Sequence, residues 1–205
     1  ARLIGGEAPN MAIHTMKGNT PLGHDHRARW PQFLDYCVSN TGANEAGGLQ
    51  NRQLFGLPAQ EKPFDPEDVV TTVATVKGTA QFTDSLGVCF FSTNADLQLL
   101  CEAVNAATGW DLTWRDAVKI GRRAVHLLRA FNLRHGIGPE LDRPSPRYGS
   151  TPVDGPAQGV SIAPHIERMV HDYYEQMGWD RETSKPLPET LRSLGLEHVV
   201  ADLWG

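Results

Sequence analysis

Cysteine is scarce in this chain and is never clustered. The 205 residues include three cysteines, Cys37, Cys89 and Cys101, and no two of them form a C-x-x-C motif or another metal-ligand spacing. Three scattered thiolates do not make the ligand set of an iron–sulfur cluster, which disfavours an electron carrier that holds its own cluster. An odd count without framework spacing also argues against a disulfide scaffold, so we expect a protein of the reducing cytoplasm.

The sequence also lacks long apolar runs, basic blocks, internal repeats and low-complexity tracts. No segment approaches the ~18 apolar residues of a membrane span and no charged-then-apolar leader is recognisable, so we expect no membrane insertion. The net charge is -5 and the pI about 5.9, and without a basic patch nucleic acid is not an expected partner. The chain opens with Ala1, so we expect it to be a processed or excised piece.

The composition that is present is that of an ordinary globular protein, with 40% hydrophobic and 21% charged residues. Residues 1–64 are rich in Gly, Pro, Asn and His and carry little periodicity. From residue 65 onward apolar residues recur at the three-to-four spacing of helices. We therefore predict a mainly α fold, a single helical domain over residues 1–205 that is loop-rich in 1–64 and helical in 65–205. At least five helices and little or no sheet are expected.

Start and stop signals place the first helices. Asp65-Pro66 is typical of an N-cap followed by proline in the first turn, and the pattern continues toward Phe82. Asn94 is the predicted cap of a second helix that ends at Gly109. The compact apolar run 33–38 is short enough for a strand or a single helical turn.

The third helix has the clearest pattern. Thr113 and Asp116 approximate a capping box, and Gly136 is the predicted stop. A fourth helix is predicted from Ser161 to Gly178, and residues 187–203 should form one or two short helices. The predicted core-facing stripe of the third helix consists of Ala117, Ile120, Ala124, Leu127, Leu128 and Phe131.

Asp84-Ser85-Leu86-Gly87-Val88-Cys89 is a D-x-x-G-x-C loop between two apolar helical patterns. Two explanations are open from the residues alone. Cys89 could fill a gap in the core while Asp84 caps a turn, or its thiolate could belong to a ligand set completed outside this chain. Cys101 lies on the apolar face of its helix and is expected in the core. Cys37 is expected to be structural.

This loop and the strings around it resemble the carboxy-terminal domain of the aldehyde:ferredoxin oxidoreductase family of tungsten or molybdenum pterin enzymes. The resemblance runs from about Met11 to Leu203, and the order and spacing of the strings carry it. The strings after the loop are Thr108-Gly109-Trp110-Asp111, Phe131-Asn132-Leu133-Arg134-His135-Gly136, Leu141-Asp142-Arg143-Pro144-Ser145-Pro146-Arg147, Tyr173-Tyr174, Gly178-Trp179-Asp180 and Leu194-Gly195-Leu196.

The resemblance implies half of a cofactor site. In that family an amino-terminal pterin domain and a domain with a three-cysteine motif precede the domain that this chain resembles, and we expect neither here. The D-x-x-G-x-C loop supplies the fourth thiolate of a 4Fe–4S cluster, which implies that Cys89 is the metal ligand. Asp84 would hydrogen-bond the pterin ring, and Gly87 and Val88 would let the backbone approach the cofactor.

The chemistry of these residue types agrees with that assignment. Clusters are held by thiolates, a carboxylate accepts hydrogen bonds from pterin N–H groups, and a glycine passes close to a flat ligand without a Cβ. The implied cofactors are a tungsten or molybdenum bis-pterin, a 4Fe–4S cluster and magnesium bridging the pterins. The implied partners are the remaining domains of the same enzyme, ferredoxin or another electron-transfer subunit, and a small-molecule substrate.

The first third of the chain departs from the common family pattern. Lys17-Gly18 and Asp25-x-Arg27 match a K-G-x-E-x-P-x-x-D-P-R segment, which makes Lys17 a candidate cofactor contact. Thr20 and His26 stand where glutamate and proline are usual. Members that oxidise aldehydes carry an R-G-x-x-H string whose histidine position is occupied here by Glu45. Burial can raise a glutamate's pKa enough for proton transfer, so Glu45 is the candidate catalytic residue.

The strings K-G-N-T-P, G-H-D-H-R and S-N-T-G are similar to the tungsten-containing subunit of class II benzoyl-coenzyme A reductases, a dearomatising branch of the same family. They favour reduction of an aromatic acyl-coenzyme A. Oxidation of aldehydes to carboxylic acids and a non-catalytic helical binding or assembly module are the alternatives. His24-Asp25-His26 also suggests a metal site, but alternating histidines face opposite sides of a strand, so hydrogen-bonded or solvent-facing histidines are expected.

Overall fold

A computed structural model describes residues 1–21, 23–42 and 48–205. The described backbone is mainly helical, which confirms the predicted fold class, and none of its helices is long and apolar enough to cross a lipid bilayer. The only β pairings in this part of the chain are two isolated antiparallel bridges, Thr15 with Pro144 and Trp179 with Pro186. The α-helices are α1 (Ala8–Met11), α2 (Trp30–Val38), α3 (Pro66–Val76), α4 (Thr79–Ser85), α5 (Phe90–Thr93), α6 (Leu97–Thr108), α7 (Trp114–Arg134), α8 (Ile166–Gln176), α9 (Pro188–Ser193) and α10 (Glu197–Trp204). Short 3-10 turns cover His26–Ala28, Leu49–Asn51 and Pro139–Leu141.

The run 33–38 lies within α2, a nine-residue helix and neither a strand nor a single turn. Almost every residue of α2 is buried, because it packs between α3 and α8 at the centre of the largest hydrophobic cluster. The apolar run is only six residues long, and over such a short run the spacing of apolar residues does not distinguish a buried helix from a strand. The buried members of that cluster are Trp30, Phe33, Leu34, Cys37, Val38, Val69, Val70, Val73, Ala74, Val125, Tyr148, Ile162, Met169, Val170, Tyr173, Tyr174, Met177 and Trp179.

The helix that begins at Asp65 has the predicted cap, since the Asp65 carboxylate accepts hydrogen bonds from the backbone N–H groups of Glu67 and Asp68 at 3.0 Å. It does not continue to Phe82. Gly78 adopts a left-handed conformation with φ +107° and divides the pattern into α3 and α4. A Cβ at Gly121 of α7 would lie 1.8 Å from the Gly78 carbonyl oxygen, so the two glycines let α7 pass in direct backbone contact with the start of α4.

The buried face of α7 differs from the predicted stripe. The capping box of Thr113 and Asp116 is confirmed and Ala117 is buried, but Ile120, Leu127 and Phe131 are 37%, 40% and 60% exposed. The interior face carries polar residues instead, listed with their apolar neighbours as Ala117, Val118, Gly121, Val125, His126, Arg129, Ala130 and Asn132. Polar side chains can occupy that face because hydrogen-bond and ion-pair partners inside the fold stabilise them. A pattern that counts only apolar residues therefore does not identify this buried face of α7.

Two other predicted starts are wrong by a few residues. The cap of α6 is Asp96, whose carboxylate accepts from the N–H groups of Gln98 and Leu99, whereas Asn94 adopts a left-handed conformation in the preceding turn. The fourth helix begins at Ile166 and not at Ser161. The predicted glycine stops at Gly109, Gly136 and Gly178 all adopt positive φ, and residues 187–203 form two short helices as expected.

Candidate functional site

The D-x-x-G-x-C loop joins the end of α4 to the start of α5. Asp84 lies in the last turn of α4, and Cys89 precedes the first residue of α5. Gly87 between them has φ +67°, and a Cβ built on it would meet nothing within 4 Å. The loop therefore turns sharply at Gly87 and faces open space, which is the geometry that a flat ligand or a second domain needs for close approach.

Cys89 is exposed and forms no disulfide, which is opposite to the interpretation that it fills a core gap. Asp84 is exposed on the same loop. The other two thiols are buried, as predicted for Cys101 and for a structural Cys37. Burial raises the pKa of both buried thiols, which disfavours the thiolate that binds metal. Cys89 is thus the cysteine of this chain with access to a ligand.

Apolar side chains surround the exposed thiol. Phe91 is 92% exposed, and Val88 and Phe90 are more than a third exposed. The two phenyl rings lie edge to face with centroids 5.6 Å apart. Such a cluster of exposed apolar residues in one short loop marks a surface that another molecule or domain covers.

A cleft of about 620 Å³ opens beside this loop, within the size range of small-molecule sites. One wall comes from α4 and α5 and the other from the 3-10 turn His26–Ala28 and the start of α2. Sequence patterns gave no signal for Arg29 and Gln32, which the fold brings to the same cleft as Asp84. The lining residues are His24, Asp25, His26, Ala28, Arg29, Gln32, Ala80, Thr83, Asp84, Phe90 and Phe91.

His24 and His26 differ in burial, although their ring centroids lie only 6.3 Å apart. His26 is buried, stacks on Tyr36 at 4.8 Å between ring centroids and hydrogen-bonds the Tyr148 hydroxyl at 3.1 Å. Burial lowers the pKa of His26 to about 4, so the ring is neutral at neutral pH. His24 is exposed at the mouth of the cleft. Residues 1–21, 23–42 and 48–205 contain no group of three or more His, Cys, Asp or Glu that could hold a metal ion.

Lys17 lies in a buried polar cluster. Its ammonium donates to the Asp142 carboxylate and to the Cys37 carbonyl, both at 2.6 Å. Arg129 of α7 lies 2.9 Å from the same carboxylate, and the Tyr174 hydroxyl donates to it as well. These contacts give Lys17 a structural role that ties the first segment to the core, and its assignment to cofactor binding stays a prediction.

Glu45 lies outside the described residues, and its catalytic assignment also stays a prediction. The structure brings together Asp84, Gly87, Val88 and Cys89 on one exposed loop. Lys17 is not part of that loop, because its ammonium is held in the interior by Asp142.

Comparison with known proteins shows which protein family this chain matches. The family model described as aldehyde ferredoxin oxidoreductase, domains 2 & 3, matches residues 1–196. The tungsten-containing aldehyde ferredoxin oxidoreductase of Pyrococcus furiosus is 28% identical over 193 residues, which cover 92% of this chain and 31% of that protein. The corresponding protein of Pyrococcus horikoshii is 30% identical over 182 residues, which cover 86% and 30%.

A second kind of relative is similar at the same level. The aliphatic sulfonate oxidoreductase, WOR-like subunit, of Pyrococcus furiosus is 33% identical over 209 residues, which cover 96% of this chain and 30% of that protein. Among solved structures, the active site complex BamBC of benzoyl coenzyme A reductase with 1,5 dienoyl-CoA matches with a TM-score of 0.65 and 17% identity, over 85% of this chain and 31% of that one. At that identity the likeness concerns the fold. The chain spans about a third of the length of the curated relatives that it matches.

Proposed function

Because the chain belongs to the aldehyde ferredoxin oxidoreductase family, we propose that it forms one side of a tungsten bis-pterin and 4Fe–4S site in a larger oxidoreductase. The observation that carries the proposal is the exposed Cys89 on a loop with Asp84 and a left-handed Gly87. When bound, the metal–pterin centre and the cluster supply the redox chemistry. This chain's part is to hold them and to shield them from water.

The residues present fit a cluster that is shared with another domain. A 4Fe–4S cluster needs four protein ligands, and one accessible thiol beside an apolar rim can supply one of them. The described residues hold no further ligand group, so the other thiolates must come from outside them. Val88, Phe90 and Phe91 would then exclude solvent from the cluster, and burial and solvent exclusion are among the factors that set its potential.

The same loop fits a pterin. Asp84 offers a carboxylate that can accept hydrogen bonds from the amino and ring N–H groups of the heterocycle. The open space in front of Gly87 lets the backbone at Gly87 and Val88 approach a flat ring system.

For the substrate we propose an aromatic acyl-coenzyme A that is reduced, with electrons arriving from a ferredoxin or another electron-transfer subunit through the cluster at Cys89. The local reason is that Thr41 and Glu45 occupy positions where aldehyde-oxidising members have arginine and histidine. Glu45 would contribute to proton delivery. Aldehyde oxidation is the second candidate, favoured by the names of the curated relatives at 28–30% identity.

The decisive test of the cofactor assignment is the iron content of the whole enzyme carrying Cys89→Ser. We expect the 4Fe–4S cluster to be lost or loosened, because an alcohol does not replace a thiolate ligand. Cys101→Ala is the matched control, since it removes a buried thiol that cannot reach a ligand. Unchanged iron in Cys89→Ser, with a properly folded protein, would remove the role proposed for Cys89, whereas a whole protein free of iron and tungsten would favour a non-catalytic binding module.

The substrate assignment is tested by assaying the whole enzyme for reduction of aromatic acyl-coenzyme A and for oxidation of aldehydes. We expect reduction of the aromatic ring of the acyl-coenzyme A to dominate and Glu45→Gln to slow it by about 100-fold, the lower end of what a general acid contributes. Robust aldehyde turnover that Glu45→Gln leaves unchanged would exclude both the substrate preference and the role of Glu45.

A further inference from the structure

Two polar groups in the cleft beside Asp84 are not accounted for by the fold. Gln32 lines the cleft, and its Oε1 is buried without a hydrogen-bond partner among the described residues. Arg29 lines the same cleft, is exposed, and makes no side-chain hydrogen bond or ion pair within that part of the chain. A buried acceptor without a partner is rare in folded proteins, because it costs about 1–3 kcal/mol. The unpartnered Gln32 oxygen beside an exposed positive charge therefore points to a ligand in this cleft.

The ligand chemistry follows from the groups that face the cleft. The Gln32 oxygen is a hydrogen-bond acceptor without a partner among the described residues, so a ligand that satisfies it must present an N–H or O–H donor. Phe90 and Phe91 offer aromatic surface against which a planar ring can pack. Arg29 adds a fixed positive charge, which matches a phosphate or carboxylate on the same ligand.

The titratable groups on the same wall do not neutralise Arg29. Asp25, on the same wall, is committed to Arg27, with Oδ2 2.6 Å from the guanidinium Nη2. His26 is neutral at neutral pH because burial lowers its pKa to about 4. The anionic substituent of a ligand would therefore find Arg29 with its hydrogen-bonding edge open.

We propose that Arg29 and Gln32 extend the pterin seat that begins at Asp84: Gln32 Oε1 accepts a hydrogen bond from an N–H of the heterocycle and Arg29 binds the cofactor's phosphate. The inference rests on the proposed function, in which Asp84 contacts the pterin. The proposal adds a second element, the start of α2, to the cofactor-binding surface. The loop and α2 would then contact the cofactor from opposite walls of the cleft.

The experiment measures pterin and tungsten per protomer in the whole enzyme, with the pterin released and quantified by its fluorescence after oxidation. Gln32→Leu keeps the side-chain volume and removes the acceptor, and Arg29→Gln removes the charge. Each should weaken cofactor retention about tenfold, the effect of one lost hydrogen bond to a buried or charged partner. Gln98→Leu and Arg123→Gln, exposed residues on α6 and α7 away from the cleft, are the matched controls and should retain the cofactor.

Gln32→Glu separates binding from folding, because the carboxylate restores an acceptor. Retention in Gln32→Glu together with loss in Gln32→Leu supports the hydrogen bond, whereas equal loss in both overturns it. Full pterin and tungsten in Arg29→Gln and Gln32→Leu would also overturn the inference. Full cofactor content overturns the inference whether activity is unchanged or KM for the acyl-coenzyme A rises. A raised KM without loss of cofactor would assign the cleft to substrate binding.

The same measurement on Asp84→Ala and Cys89→Ser shows which claim has failed. If these two variants keep their pterin and iron, the proposed function itself is wrong. If they lose them while Arg29→Gln and Gln32→Leu do not, the proposed function stands and only the extension to α2 is wrong.

Discussion

Two charged regions of this molecule use the same side-chain types in opposite ways. Around Asp142 the carboxylate meets Lys17 at 2.6 Å and Arg129 at 2.9 Å, all three inside the fold. In the cleft, Asp84 is exposed on the loop and Arg29 forms no ion pair with another described residue. The first region is buried inside the fold, whereas the second faces solvent. A buried and paired charge cluster serves the fold, and an exposed one that lines a cleft is accessible to a ligand.

The comparison predicts that alanine substitutions of the two aspartates have very different effects on the free energy of unfolding. Asp142→Ala leaves the Lys17 ammonium and the Arg129 guanidinium buried without a counter-charge, which should lower the free energy of unfolding by about 3–5 kcal/mol. Asp84→Ala should change it by less than about 0.5 kcal/mol, because the side chain is exposed. Denaturant unfolding of the whole enzyme, followed by tryptophan fluorescence, checks both. Trp179, whose ring centroid lies 5.1 Å from the Arg129 guanidinium carbon, reports on the buried cluster.

Equal effects of the two substitutions would break the comparison. A large loss of stability in Asp84→Ala would mean that its carboxylate holds the loop itself, and its role toward a pterin would then need separate proof. A small loss in Asp142→Ala would mean that the buried ammonium and guanidinium find other partners or water.

Substitutions at two glycines test the same contrast between a closed interior and an open surface. Gly121→Ala would place a Cβ 1.8 Å from the Gly78 carbonyl oxygen, which forces α4 and α7 apart and should cost about 3 kcal/mol. Gly109→Ala meets nothing within 4 Å but has φ +74°, so only backbone strain of about 1 kcal/mol is expected. Thermal unfolding midpoints should show that Gly121→Ala is less stable than Gly109→Ala. The reverse order of midpoints would contradict the close crossing of α4 and α7.

Local signals predicted some helix ends correctly, because caps and stops depend on a few neighbouring residues, but they misplaced the starts expected at Asn94 and Ser161. Asp65, the capping box at Thr113 and the stop at Gly109 are where the sequence predicts them. The division between α3 and α4 at Gly78 was missed, since the need for a left-handed residue there comes from the approach of α7. Tertiary contacts of this kind leave no trace in a local pattern.

The candidate site also has one part that the sequence predicts and another part that only the fold reveals. The D-x-x-G-x-C loop carries a sequence motif, so Asp84 and Cys89 could be named before the fold was known. Arg29 and Gln32 belong to no motif and reach the cleft only because the fold places the start of α2 on the same cleft as residues of α4 and α5, which are distant in sequence. Glu45 was named from its place in a string, and its role stays a prediction.

The last prediction concerns the face of α7 that the sequence assigns to the core. Phe131 is 60% exposed, whereas Phe33 of α2 is fully buried, so the two residues form a matched pair. Phe33→Ala should cost about 3–5 kcal/mol through the lost transfer energy and the cavity that remains. Phe131→Ala should cost about 1 kcal/mol or less, because most of its ring already contacts water and its main contact is His135, at 4.2 Å between centroids. Unfolding of the whole enzyme measures both, and a cost for Phe131→Ala close to that of Phe33→Ala would mean that the rest of the enzyme covers this face and that the apolar stripe of α7 is an interface.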